Sequence, residues 1–286
     1  MTAVVVLGAG GMLGHDLMEV LSAGSVRGYV RAEVDITNRV QVLGAIDGAH
    51  TVINAAAYTR VDDAESEEEV AFQANAVGAG VVASACSELG SRLIHVSTDY
   101  VFDGQAAVPY QEDHARNPQT AYGRTKAAGE EQVLANNADN SIIIRTAWLY
   151  GEHGPNFVAT MLSLAKNRDT VSVVTDQVGQ PTWSRDLAHM IRVLVDSPIT
   201  RGIFHGTNAG EASWWDFART IFTSAGLDLD RVVPTTSEAF VRPAQRPAWS
   251  VLGHKQWAAH GLPAPRAWAE AFDEAWTDVF SGKAVA

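Results

Sequence analysis

Two residues that could move protons, Tyr122 and Lys126, lie four positions apart. On a helix, residues at this spacing share a face. A tyrosine normally titrates near ~10, and a neighbouring ammonium group favours the phenolate and brings the pKa closer to neutral. The pair therefore predicts a phenolic acid or base for proton transfer, although the spacing by itself also occurs by chance.

An apolar segment upstream, Leu93–Val96, ends in polar residues that include Thr98. We predict a strand whose last residues project at the carboxyl edge of a sheet, where open α/β sheets bind ligands. A Thr98 hydroxyl there would hydrogen-bond a substrate carbonyl beside Tyr122 and stabilise its developing charge. The alternative is a strand-end hydroxyl bonded only to backbone. Thr98, Tyr122 and Lys126 form the predicted catalytic set for reducing or oxidising a carbon–oxygen bond.

A glycine-rich turn follows the first apolar strand and precedes a helix, all near the N terminus. In this context Gly8 permits the tight turn, Gly11 lets the backbone approach a pyrophosphate, and Gly14 packs the helix on the strand. The helix N terminus then meets the phosphate charge. The dinucleotide-binding residues predicted from this motif are Gly8, Gly10, Gly11, Met12, Leu13 and Gly14.

The end of the second predicted strand, near Gly28–Arg31, decides which dinucleotide binds. An acidic residue there would bind the ribose 2′-hydroxyl, whereas an arginine accommodates a 2′-phosphate. Arg31 therefore favours NADPH. Glu33 would reverse this preference and favour NADH if the strand ends later, and a solvated surface charge is the other interpretation of Arg31. Asp35 and Ile36 are predicted at the adenine end.

The elements that must position these residues alternate along the first two-thirds of the chain. Continuous apolar runs rich in β-branched residues predict strands covered on both faces: Ala3–Leu7, Thr51–Asn54, Arg92–Val96 and Ser141–Arg145. Helical spacing lies between them, so we predict an α/β fold with a Rossmann-type, doubly wound parallel sheet.

The composition changes after about residue 150, where aromatic residues and prolines become more frequent. We predict a dinucleotide-binding domain over residues 1–150 and a smaller, mainly substrate-binding domain over residues 151–286. A strand and helix near residues 171–197 are expected to return to the first domain, with Val171–Val174 as one more strand of its sheet.

The composition limits the functional classes. The chain has 286 residues and a formal net charge of −12, which disfavours nucleic-acid binding. One cysteine, Cys86, excludes an intrachain disulfide and lies in an apolar run that predicts a buried thiol. We expect no segment of the roughly 18 apolar residues that a membrane span needs, no signal peptide, and a cytoplasmic protein.

Several motifs together resemble the extended short-chain dehydrogenase/reductases, and within them the dTDP-4-dehydrorhamnose reductases. The likeness covers nearly the whole chain. The segments that carry it, besides the glycine motif and the pair Tyr122 and Lys126, are Asn54–Glu65, Ser97–Phe102, Arg145–Gly151, Asp176–Thr182 and Arg242–Pro247.

The resemblance implies reduction of the C4 ketone of dTDP-4-dehydro-β-L-rhamnose to dTDP-β-L-rhamnose, with hydride from the nicotinamide. Tyr122 would protonate the nascent alkoxide, Thr98 would polarise the ketone, and Lys126 would hold the nicotinamide ribose and lower the pKa of Tyr122. Arg246 is expected at the nucleotide diphosphate because a guanidinium suits phosphate geometry, with Arg242 as a second candidate. A solvated loop charge is the alternative for both arginines.

The same resemblance places the remaining ligand-binding residues. Trp148 would offer an apolar face to a 6-deoxy methyl group, although a core tryptophan is the alternative. The remaining residues expected at the cofactor are Ala55, Ala56 and Ala57. The other residues expected at the substrate are Val61, Asp62, Thr98, Asp99 and Tyr100.

Some family members bind magnesium through glutamates at a dimer interface, but Arg185 and Asp186 stand where a glutamate would be expected. We therefore expect no metal, and the nine histidines show no zinc-type spacing. A monomer or a homodimer is compatible with the resemblance. Two alternatives remain at this stage: a reductase of another dTDP-4-keto-6-deoxy sugar, and a non-catalytic dinucleotide-binding regulatory subunit.

Overall fold

Twelve strands occur in the computed structural model, which describes residues 3–284. They are β1 (Ala3–Leu7), β2 (Ser25–Tyr29), β3 (Thr51–Asn54), β4 (Arg92–Thr98), β5 (Ser141–Thr146), β6 (Leu149–Tyr150), β7 (Val171–Val174), β8 (Val178–Gly179), β9 (Thr182–Trp183), β10 (Gly202–His205), β11 (Ala212–Ser213) and β12 (Val232–Thr235). Six of them form one parallel sheet in the order β10-β5-β4-β3-β1-β2, and the others pair in three two-stranded sheets. The predicted doubly wound parallel sheet is confirmed.

Eleven α-helices accompany the strands in residues 3–284. They are α1 (Met12–Val20), α2 (Arg39–Ile46), α3 (Glu68–Phe72), α4 (Gly78–Leu89), α5 (Ala121–Asn137), α6 (Phe157–Asn167), α7 (Ser184–Asp196), α8 (Trp214–Ser224), α9 (Lys255–Ala259), α10 (Trp268–Ala275) and α11 (Ser281–Ala284). Residues of α1 and α7 pack on one face of the main sheet, and residues of α2, α4 and α5 pack on the other. Both faces are therefore covered, which explains the continuous apolar runs of the strands.

A third apolar core lies apart from these two layers and joins α6, α8 and α10 through Phe217, Phe222 and Phe272, among others. One part of the predicted organisation is wrong. Val171–Val174 is a strand, but it pairs with β12 rather than with the main sheet. The strand that completes the sheet is β10, beside β5, while α7 packs against α1. The division of the chain at residue 150 stays a prediction.

The helix Glu68–Leu89 departs from the expectation about membrane spans, because its length and composition would suffice to cross a membrane. It combines α3 and α4 through a π-helical turn at Gln73–Val77. Of its most apolar part, 56% is buried inside the protein. Contact with the sheet on one side and with α5 on the other explains the broad apolar surface of this helix. Cys86, on this helix, is buried as predicted.

The strand order of the sheet reverses between β1 and β3, which are neighbours in the sheet. After β1 the chain crosses to β2 on one side, and after β3 it crosses to β4 on the other. The carboxyl ends of these two strands thus open a crevice at the switch point, the usual ligand site of open α/β sheets. Gly8 follows β1 and Ala55 follows β3 at this edge, and the Ala55 N–H donates to the Leu7 carbonyl (3.0 Å).

Candidate active site

The three predicted catalytic side chains converge where β4 ends beside the start of α5. The Thr98 hydroxyl lies near enough to the Tyr122 phenol to favour its ionised form and so to lower its pKa. One turn further along α5, the Lys126 ammonium is buried and donates to the Val96 carbonyl (2.7 Å). Tyr100 packs edge-on against Tyr122, with ring centroids 5.5 Å apart. The predicted helical face and the predicted strand end therefore meet at one place.

The start of α5 is fixed by two side chains, which sets the position of Tyr122. The Thr120 hydroxyl caps the helix by accepting from the Gly123 N–H (3.1 Å). A Glu65 carboxylate oxygen accepts from the Ala121 N–H (2.9 Å), across 56 residues of sequence. A negative charge at a helix N terminus is stabilising. Two of the unpaired N–H groups next to Tyr122 are thereby satisfied.

The protonation states differ from the prediction. Burial raises the pKa of Tyr122 above its usual value, the Thr98 hydroxyl partly opposes this rise, and the charge of Asp99 adds to it. The predicted lowering of the Tyr122 pKa by Lys126 is therefore wrong for this structure, because desolvation of a phenolate dominates. Burial lowers the pKa of Lys126 to about 8, against a raising effect of Glu130. Tyr122 is thus a neutral phenol, the form that donates a proton.

A buried ion pair supports β4 and α5 beneath these residues. Glu130 lies on α5 two turns after Tyr122 and pairs with Arg145 of β5 through two hydrogen bonds of 2.9 and 2.8 Å. The Ser97 hydroxyl donates to the same carboxylate (2.6 Å). Both charged side chains are almost fully buried. A paired and hydrogen-bonded carboxylate of this kind locks helix and strands in register.

Two glycines of the turn, Gly8 and Gly14, leave no room for a side chain. A Cβ atom at Gly8 would lie 2.6 Å from the backbone nitrogen of Ala56, and Gly8 has a φ of +88°. A Cβ atom at Gly14 would lie 2.2 Å from the Gly8 carbonyl oxygen. The first contact brings the turn against the loop of Ala55, Ala56 and Ala57, and the second brings α1 against the turn. These are the close approaches that the motif predicts.

The N terminus of α1 is open toward this crevice. Gly11 stands at the cap position without a capping side chain, and the first turn contains no acidic residue. Met12 and Leu13 therefore present backbone N–H groups with a partial positive charge. A pyrophosphate fits such a helix end. Gly10 faces Val30, since a Cβ atom there would lie 2.9 Å from the Val30 side chain.

Arg31 and Glu33, the two candidates for selecting the cofactor, differ in their surroundings after β2. Arg31 is exposed, two positions after the strand ends at Tyr29. The Glu33 carboxylate turns back and accepts from the Val30 N–H (3.0 Å), so it is engaged in the turn. Asp35 accepts from the Thr37 N–H (2.9 Å) and hydroxyl (2.8 Å). Arg31 is thus the exposed basic side chain after the strand, close enough to Asp35 for its charge to lower the pKa of that carboxyl group.

The Ile36 side chain is oriented differently from what an adenine contact would need. It is buried in the core against Gly78, where a Cβ atom would lie 2.6 Å from the Ile36 Cδ1. An adenine-facing role could therefore use only the backbone of Ile36.

Residues predicted at the substrate lie beside the catalytic group or across from it. Val61 and Tyr100 pack in one apolar cluster with Tyr122. Asp62 pairs with Arg246 (2.7 Å) and, more loosely, with Arg242 (3.7 Å). These pairs lower the pKa of the Asp62 carboxyl against the effect of burial. Arg246 faces Tyr100, since its charge acts on the Tyr100 phenol.

Trp148 follows β5 at the same sheet edge, because Thr146 of β5 is the register partner of Thr98. Its backbone is left-handed, with a φ of 48°, the only positive φ of a non-glycine residue in residues 3–284. Its ring stacks on Trp214 with centroids 3.5 Å apart and planes at 4°. A Cβ atom at Gly179 would lie 2.5 Å from this ring. Strain of this kind persists only where the surroundings hold it in place.

Comparison with known proteins identifies the family. A sequence family described as the RmlD substrate binding domain matches residues 1–280 of the chain. The chain belongs to this family. The resemblance to the dTDP-4-dehydrorhamnose reductases is confirmed.

The relatives of this RmlD-family chain include several dTDP-sugar reductases. A dTDP-4-keto-6-deoxy-D-glucose reductase of Streptomyces niveus is 46% identical over 275 residues, 95% of each chain. A dTDP-4-dehydrorhamnose reductase of Streptomyces griseus is 45% identical over 278 residues, 94% of this chain and 91% of the relative. A solved dTDP-4-dehydrorhamnose reductase of Bacillus anthracis, in complex with NADP, has a TM-score of 0.94 at 38% identity. It covers 98% of this chain and 100% of its own.

The position of Asp186 bears on metal binding in this RmlD-family protein. Its carboxylate is engaged by Arg266 through two bonds of 2.7 Å and by the Asn208 amide (2.6 Å). Within residues 3–284 no group of three or more potential metal-ligating side chains is assembled. The expectation that the protein needs no metal stays a prediction.

Sequence reasoning missed several residues that build the RmlD-family site. Glu65, Glu130 and Arg145 hold α5 and the strands, yet their partners lie 15 to 56 residues away in sequence. Trp214 supports Trp148 across 66 residues. Because Glu65, Glu130 and Arg145 are charged, the sequence marks them as candidates for ion pairs. No spacing pattern connects the two tryptophans.

Proposed function

We propose that this chain reduces the C4 ketone of dTDP-4-dehydro-β-L-rhamnose to dTDP-β-L-rhamnose with NADPH. The observation that carries the proposal is the meeting of Thr98, Tyr122 and Lys126 at the end of β4, beside the glycine crevice. Membership of a family of dTDP-sugar reductases supports the substrate class. NADP in the Bacillus anthracis relative supports the cofactor.

The chain's residues have distinct roles in this reaction. NADPH supplies the hydride when bound. The uncapped N terminus of α1 and the turn Gly8–Gly14 hold its pyrophosphate. Arg31 accommodates the 2′-phosphate, and Lys126 binds the ribose near the reacting carbon. Lys126 is buried, which limits the access of water to the reacting end of the cofactor.

Proton transfer falls to Tyr122. Its pKa is raised by burial, so the phenol is protonated at neutral pH and donates to the oxygen that becomes the alcohol. Thr98 offers a second hydroxyl to the same oxygen and stabilises its developing charge. Lys126, with a pKa lowered to about 8, is still mostly an ammonium group at neutral pH and stabilises the phenolate once the proton has left.

The substrate is held across from this group. Arg246 and Arg242 bind the nucleotide diphosphate, because guanidinium groups match phosphate oxygens. Trp148 packs its face against the 6-deoxy sugar, and Val61, Asp62 and Tyr100 line the pocket between them. The cytoplasmic location, a monomeric or dimeric state, and the absence of nucleic-acid and membrane partners stay predictions.

A second candidate function is reduction of dTDP-4-keto-6-deoxy-D-glucose. The Streptomyces niveus relative with that name is as similar to this chain as the rhamnose-forming relatives are. Both substrates present a C4 ketone and a 6-deoxy methyl group. They differ in ring stereochemistry, which the contacts around Trp148 must discriminate. A non-catalytic regulatory role is disfavoured, because the assembled catalytic set would have no use in it.

A coupled assay separates these functions. dTDP-glucose and a 4,6-dehydratase generate the D-keto sugar, and addition of the epimerase generates dTDP-4-dehydro-L-rhamnose. We expect NADPH oxidation in the presence of the epimerase, and slower oxidation with NADH. Rapid oxidation without the epimerase would favour the second candidate.

Substitution Tyr122→Phe tests the chemistry in the same assay. We expect a loss of turnover of at least about 100-fold, since a positioned acid contributes 10²–10⁴-fold, with NADPH binding unchanged by fluorescence titration. NADPH binding without turnover in the unsubstituted protein would instead support the regulatory role.

A further inference from the structure

The Asp99 carboxyl group is buried beside the catalytic hydroxyls. Its Oδ1 accepts from the Thr98 hydroxyl (2.9 Å). Its Oδ2 has no hydrogen-bond partner among the described residues, although Ser250 lies next to the carboxyl group and favours its ionised form. Only 3% of Asp99 is exposed. A buried carboxylate oxygen without a partner costs free energy, so its persistence next to Tyr122 calls for a functional reason.

The hydrogen bonds of Thr98 restrict its chemistry. A threonine hydroxyl has one hydrogen to donate. In this structure that hydrogen points at Asp99, and the oxygen accepts from the Tyr100 N–H (3.3 Å). The hydroxyl therefore cannot also donate to a ketone oxygen. The role of Thr98 requires that its hydrogen be released from the carboxylate.

We propose that Asp99 is a positioning residue whose protonation reverses the hydrogen bond to Thr98 and so turns the Thr98 hydroxyl toward the ketone. This inference rests on the proposed function. Asp99 takes up one proton from water, the new O–H donates to the Thr98 oxygen, and the Thr98 hydrogen becomes free to donate to the substrate. No bond between heavier atoms changes.

The surroundings of Asp99 favour such a change within the working range. Burial raises the pKa of Asp99 to about 6, and the bonded Thr98 hydroxyl and the nearby Ser250 hydroxyl oppose the rise. Tyr122 from α5 and Tyr100 from the adjacent turn are the titratable groups beside it, with Arg246 and Asp62 beyond Tyr100. Both tyrosines are neutral at this pH, because burial raises the pKa of each.

The pH dependence of kcat at saturating NADPH and dTDP-sugar tests the proposal. Turnover should fall by up to about tenfold per pH unit as pH rises above the pKa of Asp99, because one proton is lost. In Asp99→Asn the amide N–H₂ group donates to Thr98 at every pH, so this fall should disappear. An unchanged fall in Asp99→Asn overturns the proposal.

Thr98→Val separates a positioning role from direct contact with substrate. If Asp99 acts through Thr98, adding Asp99→Asn to Thr98→Val changes neither kcat nor KM further. A further rise in KM in the double variant would show direct substrate contact and overturn the proposal. A loss of activity at all pH values in both backgrounds, with an unchanged pH profile, would show a structural role and overturn it too.

A substrate-free measurement distinguishes this inference from the proposed function. The carboxyl ¹³C resonance of Asp99, assigned by its absence in Asp99→Asn, reports its titration. It should move to higher pH in Thr98→Val and in Ser250→Ala, since each loses a hydroxyl that favours the ionised carboxylate. An unshifted titration overturns the coupling. No turnover of either keto sugar, with the shifts present, overturns the proposed function instead.

Discussion

At the scale of single residues, Lys126 is a buried charged side chain that lowers the stability of the folded protein. Its ammonium group is buried and has the Val96 carbonyl as its hydrogen-bond partner, and burial lowers its pKa to about 8. The folded state therefore binds the proton less tightly than the unfolded chain, whose lysine keeps the ordinary value. The free energy of unfolding should rise as pH increases from about 8 to 10.5.

Substitution Lys126→Met should consequently stabilise the protein at pH 7 by up to about 3 kcal/mol, while abolishing efficient turnover. The gain should shrink as pH rises toward 10.5, because the unsubstituted lysine is then neutral in both states. Urea unfolding at pH 7 and pH 10 measures both. The exposed Lys255 supplies the control, since Lys255→Met should show no such pH-dependent gain. Equal stability of Lys126→Met and the parent at pH 7 would contradict the prediction.

The chemistry of individual residues was the part of the site that the sequence predicted best. Tyr122, Lys126 and Thr98 were predicted from residue type, spacing and position at a strand end, and all three meet. The Tyr122 protonation state was not predictable in this way. It depends on how completely the phenol is desolvated, which is a property of the packed structure.

The aromatic stack shows, at the scale of elements, how separate segments shape one pocket. Trp148 stands between β5 and β6, Trp214 begins α8, and Gly179 ends β8. Ser213, before Trp214, caps α8 with a reciprocal bond to Asp216, which fixes the helix start. The Trp148 ring is therefore held by the stacked Trp214 ring and by its close contact with Gly179.

Trp214→Leu should raise KM for the dTDP-sugar by about 2- to 10-fold, since an aromatic pair contributes roughly 0.5–1.5 kcal/mol. Trp214→Phe, which keeps an aromatic face, should restore most of the loss, and NADPH affinity should not change in either. The neighbouring Trp215 bonds to the Val232 carbonyl instead (3.1 Å), so Trp215→Leu is the matched control. Similar KM values for Trp214→Leu and Trp215→Leu would argue against a role of the stack in substrate binding.

Elements with strong local patterns were predicted, and elements defined by distant partners were not. The strands β1 and β3 match their apolar runs residue for residue. By contrast, Val171–Val174 is a strand, but four residues cannot reveal whether they pair with β5 or with β12. The strand β10 is equally short and follows a loop, so nothing local indicates that it completes the main sheet.

The sheet, at the scale of the whole molecule, is assembled from two distant parts of the chain. Strands β1 to β5 end by Thr146, whereas β10 begins at Gly202. Without β10, the edge of β5 would expose a row of unpaired N–H and C=O groups. Without α7, the apolar face shared by α1 and the sheet would lose Leu187, Ile191 and Leu194.

A fragment of residues 1–150 should therefore fail to fold cooperatively, even though it holds the glycine motif and the catalytic set. Circular dichroism with thermal melting and NADPH titration would check this. A fragment of residues 1–205 restores α7 and β10, and we expect it to be more soluble than the shorter fragment. A sharp melting transition in the 1–150 fragment would show that β10 is dispensable.

The position of β10 late in the sequence also limits how segments can be recombined between such proteins. A single recombination point near residue 150 would join β1–β5 of one parent to α7 and β10 of another. The packing of α1 against α7 and the pairing of β5 with β10 would then each join residues from different parents. Chimeras that transfer sugar preference need three crossovers, so that α7 and β10 stay with the N-terminal strands and only the segments before and after them are replaced.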